Sequence, residues 1–315
     1  MNGFLSCDWG TSTFRLRLVD TVKKVTSAEL KTNDGIADTH EQWLAAGRPE
    51  AERINFYRGK LDEAIGRLPG DIVKNMPVIL TGMASSSIGM AELPYQEFPF
   101  SWDLAQFPVR KINEDEKFSH PLYLVSGFKT EHDVMRGEET LLLGFDINDD
   151  HEKIFIFPGT HSKHVFVKNK SGVHFKTYMT GEIFNLLAEK SILRHAVKKG
   201  EDEKSFSDGF KSGLDGNLLH HAFMVRTRQL LQHANPVSGY QFLSGLLIGA
   251  ELAPLRGTHG AVYLVCGEAL KHAYLTGLKL MESGREIYYL NADKMLLKAH
   301  CKIADTFFKN ALYEK

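Results

Sequence analysis

The chain reads as an α/β protein of two domains, on three observations. Apolar strand-like runs alternate with amphipathic segments along its whole length. An apolar strand, a turn of small hydroxyl residues and a second strand occur twice, about half a chain apart, at 4–18 and at 154–167. Finally, 315 residues with 43% hydrophobic content favour two cores of ordinary size over one.

In the first strand–turn–strand, Phe4 to Cys7 is the apolar strand, Asp8-Trp9-Gly10-Thr11-Ser12-Thr13 carries an acid and a glycine into the turn, and Phe14 to Leu18 alternates. Glycine at such a tip lets backbone N–H groups and hydroxyls converge on one anion. A helical pattern follows around Phe56 to Ile65, then a short strand from Pro77 to Leu80. It ends in Thr81-Gly82-Met83-Ala84-Ser85-Ser86-Ser87-Ile88-Gly89, small residues at a strand's C-terminus, where open α/β sheets present ligands. The strand Leu122 to Gly127 leads to His132 to Gly144, which reads as a helix start with Asp133 as an N-cap. Asn148-Asp149-Asp150-His151-Glu152 is polar punctuation and marks the expected boundary between lobes 1–148 and 149–315.

Ile154 to Val167 repeats the first plan around Pro158-Gly159-Thr160-His161, with Ser162 and Lys163 flanking the turn. Thr180-Gly181-Glu182 opens a helix expected to run through His195, and another spans Leu218 to Leu231. The run Phe242 to Glu251, with Gly245 and Gly249, is too short to cross a bilayer and predicts close helix–helix packing. Ala261 to Cys266 is a buried strand closed by Gly267; a helix, a strand from Glu286 to Leu290 and a final helix from Ala292 complete the order. That last helix is free to pack back on the N-terminal lobe.

Charge and cysteines narrow the surroundings. With 38 basic and 39 acidic residues there is no global field for nucleic acid or an anionic membrane, so any polyanion is bound locally. Cys7, Cys266 and Cys301 are odd in number and widely spaced, as expected of reduced core residues in a cytoplasmic protein. No stretch suits a signal peptide or a membrane span. The Rossmann and P-loop glycine patterns, the Gly-x-Ser-x-Gly elbow and the zinc spacings are all missing, and the fourteen histidines lack metal-ligand spacing.

The two hairpins plus Val265-Cys266-Gly267 resemble the phosphate-1, phosphate-2 and adenosine elements of the actin-like ATPase superfamily. More specifically, Cys7-Asp8-Trp9-Gly10-Thr11-Ser12, Met135-Arg136-Gly137-Glu138-Glu139-Thr140, Pro158-Gly159-Thr160-His161-Ser162-Lys163 and Phe242 to Glu251 resemble the 2-dehydro-3-deoxygalactonokinase family over nearly the whole chain. The resemblance implies a two-lobed actin-like (ribonuclease H-like) fold with an interlobe nucleotide cleft. It also implies ATP- and Mg²⁺-dependent phosphorylation of 2-dehydro-3-deoxy-D-galactonate at its terminal hydroxyl. A kinase for another sugar or sugar acid, and a non-catalytic ATP-binding scaffold or regulator, stay open, as does a homodimer.

Roles follow from what phosphoryl transfer requires: neutralised phosphates, a hydroxyl held in line and a proton acceptor. The resemblance implies that Asp8 orients Mg²⁺, the alternative being an Asx-turn. Gly10, Thr11, Ser12 and Thr13 from one hairpin, and Gly159, Thr160 and His161 from the other, would donate to phosphates, while Gly267 admits the adenosine. The resemblance implies Asp133 as the base, with Glu138 or Glu139 as the alternatives. Arg136 or Arg15 would grip the substrate carboxylate, with Ser85 and Ser86 on its hydroxyls.

Overall fold

The computed structural model describes residues 3–69, 75–101, 104–281 and 284–310. The chain divides into two units, Met1–Asn148 with Ala292–Lys315, and Asp149–Asn291.

The first unit is built on β1 (Gly3–Trp9), β2 (Phe14–Asp20), β3 (Val25–Thr32), β4 (Val78–Gly82), β5 (Gln96–Glu97), β6 (Phe100–Ser101), β7 (Val109–Ile112), β8 (Leu122–Val125), β9 (Phe128–Lys129) and β10 (Val134–Met135). Its helices are α1 (Ile36–Ala46), α2 (Arg53–Ile65), α3 (Glu138–Leu143) and, from the far end of the chain, α9 (Ala292–Asn310). The main sheet runs β3-β2-β1-β4-β8-β7, and a small one runs β10-β9-β5. β1 is central and buried almost throughout, so its run Phe4-Leu5-Ser6-Cys7 needs apolar residues on both faces. Leu5, Cys7, Trp9, Phe14 and Leu16 pack on one face against Tyr57 and Leu61 of α2. On the other face Ser6 Oγ meets His300 Nδ1 of α9 at 2.7 Å.

The second unit contains β11 (Lys153–Phe157), β12 (Ser162–Lys168), β13 (Ser171–Tyr178), β14 (Ala261–Cys266) and β15 (Ile287–Asn291), in the order β15-β14-β11-β12-β13. Its helices are α4 (Thr180–Asn185), α5 (Glu203–Leu214), α6 (Leu218–Gln232), α7 (Pro236–Leu252) and α8 (Glu268–Leu280). α5 and α7 touch backbone to backbone. A Cβ on Gly245 would stand 2.0 Å from the Phe206 carbonyl oxygen, one on Gly249 2.3 Å from that of Phe210, and one on Gly209 2.1 Å from that of Phe242. The expected close packing of the Phe242–Glu251 run is therefore present, and glycine is what permits it.

The repeat goes deeper than the hairpin. In the first unit β1 is antiparallel to β2, β2 to β3, and β1 is parallel to β4 and β4 to β8. In the second, β11, β12, β13, β14 and β15 take the same places in the same senses. The resulting fold is mixed α/β with several sheets. Two local readings need correction. The segment 132–144 is not one helix start: the chain forms the β9–β10 hairpin, and α3 begins only at Glu138 after Gly137, whose φ of 114° is open to glycine. Asp133 is thus no N-cap; its N–H donates to Thr130 Oγ1 at 3.0 Å and its carbonyl accepts from the Thr130 N–H at 2.8 Å, closing the hairpin turn. The helix expected through His195 is α4 followed by a π-helical turn at Leu186–Lys190 and a 3-10 turn at Ile192–His195.

Candidate active site

Alternation along β1 sends Cys7 and Trp9 into the core and Asp8 to the opposite face, in register with Arg15 of β2 and Thr81 of β4. Asp8 is half-buried at the strand's end. Burial raises its pKa above the ordinary carboxylate value, while the nearby Arg15 and Arg17 guanidiniums pull it down and Asp293 and Glu138 push it up. Arg15 forms an ion pair with Asp293 of α9, and Arg17 reaches the same carboxylate at 2.9 Å and Glu29 at 2.6 Å. Arg15 is therefore engaged within its own unit.

Two glycines bring the next acids up to Asp8. Gly82 leaves β4 with φ of 80°, and a Cβ there would lie 2.8 Å from the Trp9 carbonyl oxygen and 3.3 Å from Asp8 Oδ1. A Cβ on Gly137 would lie 3.7 Å from Gly82 Cα. Glu138 and Glu139 follow in the first turn of α3. Glu138 is half-buried, accepts the Arg136 N–H at 3.2 Å, and its charge raises the pKa of both Asp8 and Glu139. Glu139 is 1% exposed, and its two oxygens accept the Gly137 N–H at 2.8 and 2.6 Å while Thr140 Oγ1 donates at 3.1 Å. Burial, then the Glu138 charge, lift its pKa to about 7.

Arg136 lies with its guanidinium 4.3 Å from the Tyr95 ring centroid and donates to the Ser85 carbonyl at 2.6 Å and to Ser85 Oγ. Its Nε is buried with no acceptor among the described residues. Ser85 and Ser86 are both buried, and the Ser86 hydroxyl donates to the Met83 carbonyl at 2.7 Å. The two serines thus serve the turn and Arg136 in this structure. At the hairpin tip Thr11, Ser12 and Thr13 are exposed, and the Gly10 and Thr11 carbonyls accept from Ile36 and Ala37 at 2.9 and 3.0 Å, fixing the tip on α1.

In the second unit Thr160 and His161 are exposed at the corresponding tip. The Thr160 carbonyl accepts the Glu182 N–H at 3.0 Å and the His161 ring pairs with the Glu182 carboxylate. The Gly159 N–H donates to Ser162 Oγ at 3.3 Å. Beside this hairpin is a cavity of about 430 Å³ whose apolar wall is Phe184, Tyr240, Leu247, Ile248 and Leu270, with Asn185 and Ser244 as polar groups. The glycine run of α7 is expected to pack near the nucleotide, whereas nothing in the sequence marked α4 as part of a binding wall. Gly267 caps α8 in extended backbone, and a Cβ there would meet nothing within 4 Å. Among the described residues no cluster of three metal-ligating side chains occurs, and no helix is long and apolar enough to cross a membrane.

The family model described as 2-keto-3-deoxy-galactonokinase matches residues 8–303. The chain is 31% identical over 307 residues to the "Probable 2-dehydro-3-deoxygalactonokinase DgoK1" of Rhizobium meliloti (strain 1021), covering 92% of this chain and 93% of the relative. It is 30% identical over 217 residues to the 2-dehydro-3-deoxygalactonokinase of Escherichia coli (strain K12), covering 65% of this chain and 71% of that one. A crystal structure of a "putative 2-dehydro-3-deoxygalactonokinase protein" from Sinorhizobium meliloti superposes with a TM-score of 0.82 at 27% identity, covering 96% of this chain and 97% of that chain.

Proposed function

The chain belongs to the 2-keto-3-deoxy-galactonokinase family, and from that premise we propose that it transfers the γ-phosphoryl group of ATP to the terminal (6-)hydroxyl of 2-dehydro-3-deoxy-D-galactonate. The observation that carries the reading at residue level is the stack of Asp8, Gly82, Gly137 and Glu138 at the ends of β1 and β4. The hydroxyl oxygen attacks the γ-phosphorus, the bond to the β–γ bridging oxygen breaks, and ADP leaves.

Glu138 is assigned as the base that takes the hydroxyl proton. It is half-buried and electrostatically coupled to Asp8, whereas Glu139 is sealed from solvent and Asp133 sits in the turn between β9 and β10. Asp8 suits Mg²⁺: a hard oxygen ligand whose charge is disfavoured by burial gains from a cation, and Mg²⁺ commonly takes one or two carboxylates plus substrate phosphates. Gly10, Thr11, Ser12 and Thr13 serve the phosphates from the first hairpin, and Thr160 and His161 from the second, with Gly159 shaping that turn. The cavity beside α7 receives the adenine, and Gly267 leaves room for the nucleotide. Arg136, stiffened by Tyr95 and Ser85, faces the substrate carboxylate with a planar fork. ATP supply places the reaction in the cytoplasm.

The test is ADP formation with Mg²⁺ across sugars and 2-keto-3-deoxy acids, with product mass measured. Turnover confined to the galactonate form is expected, and Glu138→Gln lowers kcat about 10²- to 10⁴-fold with ATP binding retained. A full-rate Glu138→Gln enzyme would remove Glu138 as base. Absence of phosphorylated product from every sugar and acid would overturn the kinase reading.

A further inference from the structure

Resting on the reading of the second hairpin as a phosphate clamp, we propose that Tyr274 and Glu251 are positioning residues, which set the hairpin's hold on ATP through a one-way chain of buried hydrogen bonds. The direction of each bond follows from counting protons. A phenol has one. Tyr274 gives it to Glu251 Oε2 at 2.7 Å. Towards Ser162 Oγ, 3.2 Å away, the phenol oxygen must then accept, so the Ser162 hydroxyl donates. With its proton spent, Ser162 uses a lone pair to accept the Gly159 N–H at 3.3 Å, and its 3.4 Å approach to the Gly159 carbonyl carries no proton. On the other side Glu251 Oε1 accepts from His164 Nε2 at 2.9 Å.

Ser162, His164, Glu251 and Tyr274 are all buried. Burial and the Glu251 charge hold the Tyr274 phenol well above its ordinary pKa, so the phenol keeps the proton on which the chain's direction depends. Aligned bonds polarise one another, and a buried carboxylate with several donors is compensated where an isolated one is not. The consequence falls on the hairpin: the Gly159 N–H is turned inward and the tip is tied to α7 and α8. Tyr274 also borders the cavity that contains Gly159 and Thr160 on its rim, and Ser244, Leu247 and Ile248 of the same cavity lie on the helix that carries Glu251. The acid ending the Phe242–Glu251 run thus has a task that helix packing alone does not explain.

The experiment is a double-mutant cycle with Ser162→Ala and Tyr274→Phe, reading the ATP dissociation constant by calorimetry with Mg²⁺, and hydrogen exchange of the 158–161 amides in nucleotide-free protein. Each single change is expected to weaken ATP binding about three- to tenfold, the cost of one hydrogen bond, and the double change no more than the weaker-binding single. The sugar-acid KM stays within about twofold, and 158–161 exchange accelerates in all three variants. Additive losses, or faster exchange with unchanged ATP affinity, would overturn the proposal. Wild-type protein that binds no ATP would instead sink the kinase reading, and the cycle in exchange rates would then decide whether the chain sets the hairpin.

Discussion

Replacing Glu139 by Gln should make the first unit more stable at neutral pH and leave it nearly unchanged in mild acid. Glu139 is sealed in the core of the α3 turn, and burial, reinforced by Glu138, raises its pKa from the ordinary 4.5 to about 7. The folded state therefore holds this proton at pH values where the unfolded chain has lost it. The stability it contributes is full below pH 4.5 and is lost as pH rises through about 7. At about 1.4 kcal/mol per pH unit the loss is about 3 kcal/mol. Glutamine is neutral throughout, and its side-chain oxygen can still accept the Gly137 N–H, so the variant escapes the loss. Urea unfolding followed by tryptophan fluorescence reads the right unit, since none of Trp9, Trp43 and Trp102 lies in Asp149–Asn291. The stability difference, variant minus wild type, should be near zero at pH 4.5 and climb by about 3 kcal/mol by pH 8. A difference that stays constant over that range would refute the reasoning, because background titrations cancel between the two proteins.

Arg136→Lys keeps the charge but loses the stack on Tyr95 and the grip on Ser85; the sugar-acid KM should rise about tenfold with the ATP KM unchanged. An equal rise in both would assign Arg136 to scaffolding. Gly245→Ala drives a methyl group to within 2.0 Å of the Phe206 carbonyl oxygen, so α5 and α7 must part, at about 2–3 kcal/mol in a thermal melt followed by far-UV circular dichroism. Gly59→Ala, on the exposed side of α2 with nothing within 4 Å, should stabilise by about 0.5–1 kcal/mol in the same melt and so controls for helix propensity.

Both hairpins were legible in the sequence because a hairpin is local: the strand runs, the small hydroxyl residues and the glycine lie within fifteen positions of one another. The same holds for α2, α7, β14 and the start of α9, where periodicity and end signals coincide. Sequence alone missed β3 and β13, edge-side strands whose exposed polar residues hide the alternation, and it took the β9–β10 hairpin for a helix start. Asp133 illustrates why: an acid before an apolar run has the same composition whether it caps a helix or closes a turn, and only the φ of Gly137 four residues later separates the two.

What the sequence by itself determined, then, is a strand–turn–strand with small hydroxyl residues at its tip, and that this device is used twice. Tertiary structure alone decided which partners its neighbouring acids and hydroxyls meet. Ser162 reads as a mere neighbour of a turn until Tyr274, 112 positions further along the chain, meets it and in turn meets Glu251, 23 positions before Tyr274. Ser85 and Ser86 read as open until Arg136 and Met83 claim them, and Glu138 and Glu139 are indistinguishable until the first turn of α3 buries one and leaves the other half-open beside Asp8. Proton direction, burial and carboxylate pKa depend on groups brought together by packing, and the packing of helices and turns from distant segments is what brings them.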